Sequence, residues 1–207
     1  AGPVADAAAV APILRGACAI ADPALAGVYR RFILDFRGGP AIRHFVDGAD
    51  LARYGQAGVA TPDHTIRTKN YALIVPLPLS QRLDAFRAAV REAVLRFAAD
   101  YDAYFARHNA TAAVPKRALD PMPRVILVPG LGLFGLGRTA KDAAVAADLA
   151  ESWVATVTAA EAVGTFESLS EAELFEMEYW SLEQAKLGKE AEKPLAGQVA
   201  IVTGGAG

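Results

Sequence analysis

Arg124-Val125-Ile126-Leu127-Val128-Pro129-Gly130-Leu131-Gly132-Leu133-Phe134-Gly135-Leu136-Gly137-Arg138-Thr139 is the stretch on which the fold turns, because it supports two incompatible readings. Gly130, Gly132 and Gly135 satisfy the G-x-G-x-x-G spacing of a dinucleotide-binding turn, directly after a β-branched strand and ahead of a helix. In such a turn the third glycine opens the helix, whose N-terminal amides and partial positive charge hold a pyrophosphate. Here Leu136, Gly137 and Arg138 intervene before Thr139. The acidic residue expected about twenty positions on, Glu151, falls inside the following helix instead of ending a second strand. The stretch is therefore read as a hairpin, with Val125 to Val128 and Leu131 to Leu136 folded back through a tight turn at Pro129-Gly130.

Outward from the hairpin, strand and helix signals alternate. Thr139 suits the N-cap of a long alanine-rich helix that runs to Val163 and stops at Gly164. A further helix is predicted over Ser170 to Leu187, where Ser170 and Glu173 have capping-box spacing, followed by a charged linker from Gly188 to Pro194. Upstream, Arg31 to Phe36 reads as a strand broken by Gly38-Gly39-Pro40, with short helices over Pro40 to Val46 and Ala49 to Gln56. The segment from Ala60 begins as a loop and becomes a strand at Ala72 to Val75. Ser80 is the expected N-cap of a long helix with a buried stripe at Leu83, Phe86, Val90, Val94, Phe97, Tyr101, Tyr104 and Phe105, ending near His108-Asn109. Residues 1–28 are alanine-rich, punctuated by Pro3, Pro12 and Pro23, and read as a connecting helical segment. The fold class is α/β, with no internal repeat.

The chain ends KPLAGQVAIVTGGAG, an apolar strand from Val199 to Val202 followed by Gly204, Gly205 and Gly207. A glycine turn after a strand binds a cofactor only when a helix follows. Residues 189–207 are therefore expected to be a linker and the truncated opening of a Rossmann-type dehydrogenase domain. The sequence reads as a piece of a longer protein, with residues 29–188 as its central domain.

Composition narrows the partners. With 53% hydrophobic residues, 21 basic and 23 acidic side chains interspersed and a net charge of −2, the chain shows no electrostatic footprint for nucleic acid or an anionic membrane. No run approaches the roughly 18 apolar residues of a membrane span, and the N-terminal stretch lacks a basic region and carries Asp6, unlike a signal peptide. The single cysteine, Cys18, excludes an internal disulfide framework, fits a reducing cytoplasm and reads as a small core residue.

The densest chemistry is Thr61-Pro62-Asp63-His64-Thr65-Ile66-Arg67-Thr68-Lys69. In a loop, Arg67 could make a two-pronged phosphate contact, Lys69 a point charge, and Thr65 and Thr68 could donate hydroxyls, with His64 as proton donor or metal ligand. The same residues also suit a structural role in which Asp63 caps a turn and Arg67 pairs with a carboxylate. His44 and His108 are expected to be structural. Glu173, Glu176, Glu178 and Glu183, with Tyr179 and Trp180, read as a solvated acidic face with an aromatic edge.

Residues 30–69, 119–151 and 166–188, followed by 193–207, resemble in order the central part of bifunctional rhamnulose-phosphate aldolase/short-chain dehydrogenases. The resemblance implies a class II aldolase-like layered domain in degenerate form, because Gly130 and Leu131 stand where that family carries an asparagine-histidine pair, and His44, His64 and His108 are isolated in sequence. It implies a parent that uses NAD(P) and a divalent metal, zinc, and that cleaves a deoxyketose phosphate to dihydroxyacetone phosphate and lactaldehyde in rhamnose catabolism. It further implies flanking aldolase and dehydrogenase domains, a homo-oligomer, and no complete active site in this chain: no metal ligands, no cofactor bound by this chain alone, and only Gly204, Gly205 and Gly207 of a nucleotide turn. A non-catalytic scaffold and a sugar-phosphate binding module are the alternatives.

Overall fold

A computed structural model describes residues 2–22, 24–181 and 197–204. Its elements, in chain order, are α1 (Ala7–Ala17), β1 (Ile20–Ala21), β2 (Tyr29–Arg30), β3 (Ile33–Arg37), α2 (Pro40–Val46), α3 (Leu51–Tyr54), α4 (Pro62–Thr68) and β4 (Leu73–Ile74). There follow a 3-10 turn (Ser80–Arg82), α5 (Leu83–Asn109), β5 (Val125–Val128), β6 (Gly132–Gly137), α6 (Ala140–Val163) and α7 (Glu171–Glu178).

The hairpin forms as the glycine argument requires. β5 and β6 pair antiparallel with Val128 opposite Gly132, and the Leu131 amide donates to the Val128 carbonyl across Pro129-Gly130. Gly130 sits at φ +79°, the left-handed position that a Pro-Gly turn of this kind requires. β3 adds antiparallel to the free side of β6 and β4 parallel to β5, giving a sheet in the order β3-β6-β5-β4, while β1 and β2 form a separate ribbon.

Strand alternation then divides the core into two layers. Ile126, Val128, Phe134 and Leu136 face α1 and α5 through Val10, Leu14, Phe86, Val90 and Val94. Val125, Leu127 and Leu133 face α2 and α6 through Ile42, Phe45, Val46, Trp153, Val154 and Val157. The remaining hairpin glycines have a packing reason: a Cβ on Gly135 would lie 2.5 Å from the Ala147 amide nitrogen, and one on Gly137 would lie 2.2 Å from that of Ala143. The α6 backbone rests directly on β6, with Ala143, Ala146, Ala147 and Ala150 buried in the seam. Glycines spaced to imitate a nucleotide turn thus serve close helix-on-strand packing.

Several expectations are corrected. The segment from Thr61 is a helix, not a loop: Pro62 occupies its first turn and the Thr61 hydroxyl caps it. Ser80 does not cap the long helix. Its amide donates to the Pro3 carbonyl, and the 3-10 turn comes between. Helix α1 is more than a connector, since Val10 and Leu14 are wholly buried in the core. Helix α7 opens with the expected capping box but ends at Glu178, and most of the stretch expected to continue to Leu187, with the linker after it, lies outside the described residues. Val199 to Val202 form no strand, and Val199, Ile201 and Val202 are exposed. Gly204 is at φ +74°, and Gly205 and Gly207 lie outside the described residues. Among the described residues no helix is long and apolar enough to cross a membrane.

Candidate functional site

Helix α4 draws the residues of its segment inward. The His64 ring bridges two elements, its Nδ1 2.7 Å from the Thr61 hydroxyl and its Nε2 2.9 Å from the Leu149 carbonyl oxygen on α6. The Leu149 carbonyl can only accept, so Nε2–H donates to it, and burial lowers the pKa of the ring, which favours its neutral form. The Thr68 hydroxyl donates to the His64 carbonyl at 2.7 Å, the return bond that a threonine makes inside a helix. Thr65 is buried, and its hydroxyl lacks a hydrogen-bond partner. Arg67 is half-buried on the same helix. These side chains do not converge on one outward surface.

Lys69 departs from the rest. It ends α4 at φ +62° and ψ 176°, alone among the described non-glycine residues in having positive φ, and in a region that only glycine occupies readily. Only 4% of it is exposed. Its Nζ lies 3.6 Å from the centroid of the Tyr101 ring and 3.9 Å from Glu178 Oε1. Glu178 is completely buried, and its carboxylate accepts hydrogen bonds from Tyr101 at 2.7 Å and from Tyr104 at 3.0 Å. The Tyr179 and Tyr101 hydroxyls are 2.7 Å apart, and the Asn70 side chain hydrogen-bonds Tyr104 while its Oδ1 has no partner.

The electrostatics follow from burial. Desolvation pushes the Lys69 amine down to about 8, against the pull of Glu178. It raises the Glu178 carboxyl above the ordinary carboxylate range, against Lys69 and the two phenols. All three tyrosine hydroxyls are pushed upward, that of Tyr179 to about 12. A cleft of about 250 Å³ opens beside the cluster, lined by Lys69, Asn70, Tyr71, Tyr101, Tyr104 and Arg107, among others.

The acidic-face reading of α7 is therefore corrected at Glu178 and Tyr179, both of which are buried. A signal was available in α5: two tyrosines on its buried stripe bring hydroxyls into the core, and buried hydroxyls require acceptors. Of the other histidines, His44 is exposed on α2, and His108 lies 3.1 Å from Glu171 on α7. Burial raises the Cys18 thiol to about 12, which suits a core residue and not a nucleophile.

The zinc implied for the parent finds no matching groups among the described residues, and of the implied nucleotide turn only Gly204 lies within them. Among the described residues no cluster of three or more histidine, cysteine or acidic side chains could hold a metal, and Gly130-Leu131 is a packed hairpin turn. The strand that would support a nucleotide at Gly204 is not formed.

Comparison with known proteins agrees with the layered fold. Residues 5–187 match the family described as the second domain of class II aldolases. The chain is also 31% identical over 202 residues to a Bacillus subtilis protein named uncharacterized oxidoreductase YuxG, a match covering 97% of this chain and 28% of that protein. The chain thus spans less than a third of that relative's length. No solved structure matches it significantly. With the match running from the segment before α1 through α7, the chain belongs to the family of class II aldolase second domains.

Proposed function

We propose that this chain is the second aldolase domain of a two-activity protein resembling rhamnulose-phosphate aldolase/short-chain dehydrogenases. In that protein a flanking aldolase domain with a divalent metal cleaves a deoxyketose phosphate, and a dehydrogenase domain using NAD(P) acts on the lactaldehyde released. One observation carries the reading: a class II aldolase domain covers most of the chain, and the same chain aligns with part of a much longer protein named as an oxidoreductase. The Gly204, Gly205 and Gly207 turn would then belong to the dehydrogenase. The expected setting is a cytoplasmic homo-oligomer.

Within that protein the domain's own contribution is support. The His64 ring nitrogens and the Thr68 hydroxyl are spent on internal hydrogen bonds, which favours a scaffold over phosphate recognition by α4. The test measures lactaldehyde release from rhamnulose 1-phosphate, and its NAD(P)-linked conversion, in the full-length protein and in the 207-residue chain. Both activities are expected in the former and neither in the latter. Calorimetric titration of the chain with the same phosphate, with and without zinc, separates the readings. Absence of heat fits the scaffold, and saturable binding weakened by Arg67→Ala would restore α4 as a phosphate site.

A further inference from the structure

Lys69 unites features that rarely occur together: a backbone conformation open mainly to glycine, near-complete burial and a place in the wall of a cleft. Strain of this kind persists only where the surrounding structure over-determines it, and it collects at sites of function. Holding Glu178 does not account for it. That carboxylate already accepts from two phenols at 2.7 and 3.0 Å, whereas Lys69 approaches it only to 3.9 Å and lies over the face of Tyr101. The left-handed turn at Lys69 ends α4 and carries the side chain into the space where α5 and α7 meet.

The cleft defines what could reach the amine. Its charged lining is two cations, Lys69 and Arg107, and two anions, Asp100 and Glu171, so it does not select an anion. Tyr71, Phe97, Tyr101 and Tyr104 supply apolar walls. Its volume of about 250 Å³ lies below the range of about 300–1,000 Å³ typical of drug-sized ligands and suits a compound of a few carbons.

We propose that the Lys69 ε-amine forms an imine with a short, uncharged aldehyde or ketone bound in this cleft. The neutral amine adds to the carbonyl carbon, and its proton passes to the carbonyl oxygen. Loss of that oxygen as water leaves the C=N bond, and nothing is oxidised or reduced. Glu178 is the group placed to take the ammonium proton before addition and to return it to the departing hydroxyl. The charges facing Lys69 are Glu178 from α7, Asp102 from α5, and Asp120 and Arg124 from the segment leading into β5. Burial, helped by repulsion from Arg124, outweighs the pull of the three carboxylates and leaves a usable share of free amine near neutral pH. This step does not depend on the parent's aldolase or dehydrogenase activity, and it takes place in the chain by itself.

The test incubates the 207-residue protein with propanal or dihydroxyacetone and cyanoborohydride, which reduces an imine to a stable amine, and maps the modified lysines by peptide mass. Lys69 is expected to label at least about tenfold faster than the exposed Lys141 at neutral pH, because an amine lowered to about 8 carries roughly 200-fold more free base there than an unperturbed lysine, a margin that restricted access to a buried group only partly offsets. Its rate should level off as pH passes about 8, and dihydroxyacetone phosphate should react no faster than dihydroxyacetone. Lys69→Met should lose only the fast label. Should that variant not fold, the pH profile of the unaltered protein decides. Labelling of Lys69 no faster than Lys141, or a rate that climbs with pH like that of an ordinary lysine, would overturn the proposal.

Discussion

Where α6 lies on β6, almost no side chain separates helix from strand: Gly135 and Gly137 meet the backbone at Ala143 and Ala147. Where α7 meets α4 and α5, the contact includes several large polar groups, with Lys69, Glu178, Tyr101, Tyr104 and Tyr179 all buried. The first contact is satisfied once two backbones come close. The second is satisfied only when every member is present, because each buried charge or hydroxyl relies on the others for partners. Close packing of small residues fixes a fold, whereas an interdependent polar cluster beside a cleft has chemistry to spare.

The sharpest way to break this contrast is to remove one member of the polar cluster. Glu178→Leu strands the Lys69 ammonium and two phenols, and should cost about 4 kcal/mol in urea unfolding. Adding Lys69→Met should recover part of that loss, since it removes the uncompensated buried charge and leaves only the two phenols short of an acceptor. The seam should behave differently. Gly137→Ala is expected to cost about 3 kcal/mol through overpacking. Adding Ala143→Gly should recover none of it, because the clash is with the backbone nitrogen of residue 143. Rescue at the seam, or none in the cluster, would erase the distinction.

Acid titration gives a smaller effect with opposite signs. Arg53 holds the half-buried Glu161 carboxyl at about 2, below the ordinary 4.5, so its stabilisation is fully present above 4.5 and is lost as pH falls towards 2. Glu178 is raised, so the folded state keeps its proton where the unfolded state has released it, and its part of the stability grows as pH falls towards 4.5. Glu161→Gln should therefore flatten the loss of stability below pH 4.5, and Glu178→Gln should flatten the slope above it. Unfolding curves across that range check both.

What could be read from the sequence was local. Thr139 caps α6 by accepting from the Asp142 amide, and Ser170 and Glu173 form their reciprocal pair, each within one turn. The hairpin was legible because a helix start misplaced by three residues rules out a nucleotide turn. What could not be read depended on distant partners: Tyr101 and Glu178 stand 77 residues apart, and nothing near Glu178 marks it as buried. The helix at α4 was announced by Thr61, Pro62 and Asp63, a cap, a first-turn proline and a first-turn acid, but the same polar residues also suit a phosphate loop. Val199 to Val202 has strand composition, yet a strand requires a neighbour, and no described residue pairs with it.

The seam also bears on the order in which the protein comes apart. Residues 125–163 hold two paired strands and the helix that covers them in one unbroken run of chain, so their contacts close over short distances and without rotamers to align. Such a unit opens last. Amide hydrogens of β6 and of the alanine-rich face of α6 would outlast all others in exchange with solvent, while α7 releases its own earlier. The cleft would then loosen on a framework that is still intact.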